Sequence, residues 1–170
     1  EPLGVFLREF VSRIAVPYFF VVSGYFLFKK LEKTEISGYR AAWNQTKTYI
    51  IWSIPYILLN FVILVGKDFS TILFAKDTVF RFFIHGSSSH FWFFPALIYG
   101  TLFVTFVYKR LGWKTILSIS LFFYIFGCLG SSYLPIGEKI PILSTLFTNS
   151  NFYILRRLLL TGIPFITLGG

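Results

Sequence analysis

The sequence predicts an all-α fold, a polytopic transmembrane bundle of about five spanning helices with one further helix in the membrane interface. Three observations lead there. Of 170 residues, 55% are hydrophobic, 22% aromatic and 14% charged, with a mean hydropathy of +0.70. A soluble domain is usually about 45–50% apolar and about 25% charged, and a chain this small could not bury so much apolar surface against itself. The apolar residues also gather into five runs, most of them near the roughly 20 residues that a spanning helix needs. Finally, the formal net charge of +9 is collected in short clusters between those runs, as in membrane loops. A basic soluble protein would point to nucleic acid; this distribution argues against such a partner and for the lipid bilayer.

The runs cover about 14–28, 49–65, 91–108, 114–134 and 153–170. The first, within RIAVPYFFVVSGYFLFKK, is short but extends back through VFLREFVS. Most hold Pro or Gly, which membrane helices tolerate because neighbours re-satisfy the backbone. Segment 66–90 differs. In GKDFSTILFAKDTVFRFFIHG the apolar residues Phe69, Ile72, Leu73, Phe80, Phe83 and Ile84 recur at helical spacing, while Lys76, Asp77 and Arg81 interrupt them. This predicts an amphipathic interfacial helix over 69–84, stopped at Gly86.

Charge sets the orientation. Lys29, Lys30, Lys33, Arg40 and Lys47 follow the first run, and Lys109, Arg110 and Lys114 follow the third. The positive-inside rule places both groups in the cytoplasm and 66–90 and 135–152 outside. The lone Cys128 excludes an internal disulfide and a cysteine-based metal site. The chain has no methionine and stops within an apolar run, so the expectation is one domain cut at both ends from a longer protein. Its N-terminus lacks the layout of a signal peptide.

Several polar residues need more than anchoring. At 100° per residue Arg13, Pro17, Phe20 and Gly24 share one helical face, with Ser23 beside it. That face is either a packing groove with a snorkelled arginine or the wall of a cationic pocket. Arg156 and Arg157 sit within an apolar run, where each charge is costly at mid-helix, about 2.5–3.5 kcal/mol. His85 and His90 flank GSSS and make a poor metal site; His90 is either an acid–base group or a polar end to an aromatic belt. Asp68, Asp77 and Glu138 are possible outer acids with no evident nucleophile, and no phosphate-binding glycine loop or dinucleotide fingerprint is present. In the expected topology Arg13, His90 and Arg156/Arg157 reach one membrane level, which would suit an anionic or polar substrate near the outer leaflet.

These same residues carry a resemblance. RIAVPYFFVVSGYFLFKK resembles the R-x-x-x-P-x-F-F-x-x-S-G-Y block of the integral-membrane acyltransferase family 3. HFWFFPALI is similar to its H-L-W-F-x-x-A-L-I block, and RRLLLTGIPFITLGG to its R-x-x-x-x-x-G-x-P-F-x-x-L-G block. The resemblance implies a multi-pass enzyme of the bacterial inner membrane. Such an enzyme moves an acyl group, often acetyl, from acyl-CoA as donor substrate to a hydroxyl of an envelope sugar or polysaccharide, with no bound cofactor or metal. It implies catalytic roles for His90 and Arg13 and substrate-binding roles for Arg13, Ser23, Gly24, Trp92, Arg156 and Arg157. Arg157 is the closer match to the third block and Arg156 the alternative register. Pro17, Phe19, Phe20, Gly162, Pro164, Phe165 and Gly169 also match. The family's first helix, with its basic residue and central histidine, would precede Glu1, so the 170 residues alone are expected to be inactive. Two other classes fit the composition: a transporter or channel, and a non-catalytic membrane module of a multidomain sensor or racemase.

Overall fold

The computed structural model describes residues 12–34, 36–65, 71–88, 91–129 and 160–170. Among them are six helices and no strand: α1 Ser12–Leu31, α2 Ile36–Val65, α3 Thr71–Ile84, α4 Phe93–Leu111, α5 Trp113–Leu129 and α6 Gly162–Leu168. The predicted all-α class is therefore what forms. Two described helices are long and apolar enough to cross a membrane, over Ile14–Leu31 and Ile36–Ile63. Trp113–Cys128 is apolar but shorter.

One element differs from the sequence expectation. The second helix starts at Ile36, well before the apolar run at 49–65. Its early turns are amphipathic: Ala42 and Tyr49 are buried while Arg40, Trp43, Asn44 and Lys47 are exposed, so packing on one face extends the helix beyond its apolar part. Further along, Ile51, Leu58, Leu59, Val62 and Ile63 are exposed, as a lipid-facing surface would be. The third run forms α4, at the centre of the bundle. α4 packs against α1, α2, α5 and α6, burying Ala96, Leu97, Gly100, Thr101, Val104, Thr105 and Val107. Its Thr101 and Thr105 hydroxyls are thereby enclosed by neighbouring helices.

The core joins Phe20, Leu27, Phe28 and Leu31 of α1 to Ala96, Leu97, Val104 and Val107 of α4, Ile116 of α5, and Ile163 and Ile166 of α6. Ser120 and Thr167 share a buried hydrogen bond of 2.7 Å between α5 and α6. At one end of the bundle Phe28 meets Tyr108 and Trp113 edge-on. There α4 turns into α5 through a single residue, Gly112, whose φ of +82° suits glycine. Lys29, Lys30, Lys109 and Arg110 make this the basic end.

Lys109 does more there than carry charge. Its Nζ donates to the carbonyl oxygen of Leu31, the last residue of α1, at 2.9 Å. A cation at a helix C-terminus also meets the negative end of the helix dipole. Lys109→Met is expected to lower stability by about 1 kcal/mol, read as a lower unfolding midpoint in detergent, with Lys109→Arg retaining the wild-type value. Equal midpoints for Met and wild type would show that the contact contributes nothing.

Candidate functional site

α1 divides its faces between two tasks. Gly24 is buried against α6: a Cβ there would run into the backbone of Ile166, and a Cβ at Gly169 into the backbone of Val21 and Tyr25. The glycine notch anticipated from the sequence is thus filled by a helix. Ser23, one residue and 100° away, opens instead onto a groove of about 370 Å3 between α1, α2 and α4. Phe19, Phe26, Leu27, Phe94 and Leu97 form its apolar walls. Asn44, Gln45 and Thr48 face them from α2, and Lys30 stands at the basic end. The Thr48 hydroxyl donates to the Asn44 carbonyl at 3.1 Å, and the buried Gln45 Oε1 accepts no hydrogen bond among the described residues. The groove is amphipathic, with one cation at its mouth.

A second cleft, about 570 Å3, lies at the opposite end, between α2, α3 and the turn that enters α4. Its walls are Asn60, Asp77, Phe80, Arg81, His85 and Trp92, with Ser87 and Ser88 at the turn. The turn is fastened to α2. Tyr49 donates its hydroxyl to the Phe82 carbonyl at 2.7 Å and accepts from the Ser87 N–H at 2.9 Å, while Ser87 Oγ donates to Ser53 Oγ at 2.8 Å. The Tyr99 hydroxyl reaches the Phe83 carbonyl at 3.1 Å, and the Tyr49 ring stacks on Phe82 and Phe94. Gly86 makes the bend with φ of +87°. A short ladder of hydroxyls and rings thereby holds the amphipathic helix against the bundle.

Of the residues predicted for the site, Ser23 lines the groove and Trp92 the opposite cleft. Arg13 lies in the first turn of α1, and its side chain is outside the described residues. Pro17 has no N–H to offer the Arg13 carbonyl four residues earlier. His90, Arg156 and Arg157 are outside the described residues, so the expected meeting of cationic groups falls there too. Sequence reasoning missed Asn44, Gln45, Thr48 and Asn60. Ordinary polar residues on a helix give no signal until the neighbouring helix is known. Asp77 and Arg81 form an ion pair at 2.7 Å, for which their spacing of four was the available sign.

An apolar helical domain with one amphipathic groove and one polar cleft is the class defined here: a membrane-associated domain with places for small ligands. The chain belongs to the family of acyltransferase domains, which matches residues 2–170. It is similar to an amino-acid racemase of Enterococcus faecalis, with 30% identity over 160 residues, covering 87% of this chain and 22% of that protein. It is also similar to a serine/alanine racemase of Enterococcus gallinarum, with 27% identity over 137 residues, covering 78% of this chain and 19% of that protein. The chain thus spans about a fifth of the length of these curated relatives. No solved structure matches.

Proposed function

We propose that the intact protein is a multi-pass acyltransferase of the inner membrane that moves an acyl group, acetyl in the first instance, from acyl-CoA to a hydroxyl of an envelope sugar. The observation that carries this reading is the family match over nearly the whole chain. In that reaction a base takes the acceptor proton, the alkoxide oxygen attacks the thioester carbonyl, and the oxyanion collapses to an ester with loss of the CoA thiolate. Such chemistry needs a base and donors at the developing oxyanion. His90 and Arg13 are the proposed catalytic residues. Ser23, Trp92, Arg156 and Arg157 are the proposed substrate contacts, and Gly24 secures the helix that presents Ser23. The groove beside Ser23, with Lys30 at its mouth, suits a long amphipathic donor with a phosphorylated end.

The test is transfer by membranes containing the intact protein. Radiolabelled acetyl-CoA with envelope polysaccharide should give base-labile label in the polysaccharide; no label from any acyl-CoA tried would overturn the reading. The names of the relatives favour a second one, a membrane binding module within a longer racemase-like protein. Ligand binding without acyl transfer would select it.

In this topology the basic end is cytoplasmic, and the five runs all span. With Cys128→Ser as background, an impermeant thiol reagent added to intact cells should label Lys76→Cys and spare Lys33→Cys. The reverse pattern would invert the topology.

A further inference from the structure

We propose that the cleft between α2, α3 and the turn entering α4 is a saccharide subsite that takes a neutral sugar, with Trp92 as its platform and Asn60, Asp77 and Arg81 as its hydroxyl readers. This rests on the acyltransferase reading in one respect: it assigns the acceptor's place within that reaction. The cleft's volume, about 570 Å3, falls within the range of about 300–1,000 Å3 for small-molecule sites, and its lining is predominantly polar. Trp92 and Phe80 add apolar ring surface. An aromatic face covers the C–H side of a pyranose, while planar amide, carboxylate and guanidinium groups each present two hydrogen-bonding atoms to adjacent hydroxyls.

The charge arrangement selects among ligands. Arg81 Nε and Asp77 Oδ2 are paired at 2.7 Å, yet their side chains remain 64% and 56% exposed. An exposed pair of this kind contributes little to stability, and its outward lone pairs and N–H groups stay available. Because the pair neutralises itself, Asp77 and Arg81 together offer no net charge to an acidic sugar. A zwitterionic amino acid would fill little of the space. A neutral polyol can bond to the pair intact. The hydroxyl ladder from Tyr49 and Ser53 to Phe82 and Ser87 holds α3 and the turn in register, so the readers are set on a braced wall.

The experiment uses the full-length protein in nanodiscs without any acyl donor. Chitotriose and maltotriose are the neutral probes, trigalacturonate the acidic one and L-serine the zwitterionic one. A neutral trisaccharide should change tryptophan fluorescence saturably, and Trp92→Phe should remove that change. By calorimetry, Asp77→Asn and Asn60→Ala should each weaken binding about tenfold. Trigalacturonate and L-serine should give no saturable response. No saturable binding of either neutral probe, or stronger binding of trigalacturonate or L-serine, overturns the proposal. Acyl transfer is then measured separately. Saccharide binding without transfer leaves the subsite standing and removes the acyltransferase reading. Transfer whose acceptor KM is unmoved in Asp77→Asn and Asn60→Ala does the opposite.

Discussion

Gly24→Val is expected to prevent α6 from seating on α1, and to do so in the full-length protein as a loss of monodisperse material after detergent extraction. The two helices touch through backbone at this point. A Cβ at Gly24 would meet the carbonyl group and Cα of Ile166, and the reciprocal Gly169 sits against Val21 and Tyr25 in the same way. A side chain in the path could swing aside, but a helix backbone moves only as a body. Overpacking of a core costs about 1–3 kcal/mol and occasionally more, and here the obstacle is rigid. Ile163 and Ile166 would be drawn out of the core along with α6. Gly24→Ala should be intermediate. Ser23→Ala, one residue away on the groove face, should leave extraction and unfolding midpoint as in the wild type. A wild-type midpoint for Gly24→Val would show that the helices do not cross there.

Arg13→Lys should reduce acyl transfer by about ten- to a hundredfold while leaving expression and membrane insertion unchanged. The argument begins with the residue type. An anchor needs only a positive charge, which lysine supplies. A group that grips a phosphate or carboxylate in two places needs the planar guanidinium fork. Losing one such contact removes about 1.5–3 kcal/mol, which is roughly that range of rate if the contact acts in the transition state. The position is consistent with this role. Arg13 lies in the first turn of α1, at the end where α4 begins, since Phe19 packs on Phe93 and Phe28 on Tyr108 along parallel helices. Pro17 leaves the Arg13 carbonyl without its usual helical donor. The measurement is initial rate at limiting and saturating donor. Wild-type rates for the lysine variant under both conditions would make Arg13 an anchor.

Much of the architecture was legible in the chain. Apolar runs of near-spanning length foretold α1, the later part of α2, α4 and α5, because lipid and helix core reward the same composition. The 3.6-residue period of Ile72, Leu73, Phe80, Phe83 and Ile84 foretold α3, and Gly86 its end, which the structure places at Thr71–Ile84 and a left-handed glycine. The resemblance of the Arg13–Lys30 and His90 blocks foretold the family that matches residues 2–170.

What only the tertiary structure decided is how each helix face is used. The period of a helix fixes the angle between Ser23 and Gly24, and it does not say which neighbour approaches from either side. Packing gave Gly24 to α6 and left Ser23 on a groove whose other wall, Asn44, Gln45 and Thr48, lies on a helix that the apolar pattern did not extend that far. Likewise Asn60, Asp77, Arg81 and Trp92 come from three separated stretches, and apart from the spacing of four between Asp77 and Arg81 nothing in the sequence links them. They share one cleft because Tyr49 and Ser53 hold the Phe82–Ser87 turn to α2. The sequence by itself determined that the chain is helical, apolar and basic between its runs, since those follow from local composition and period. The recesses were decided by side-to-side contacts between helices distant in sequence, which local composition does not encode.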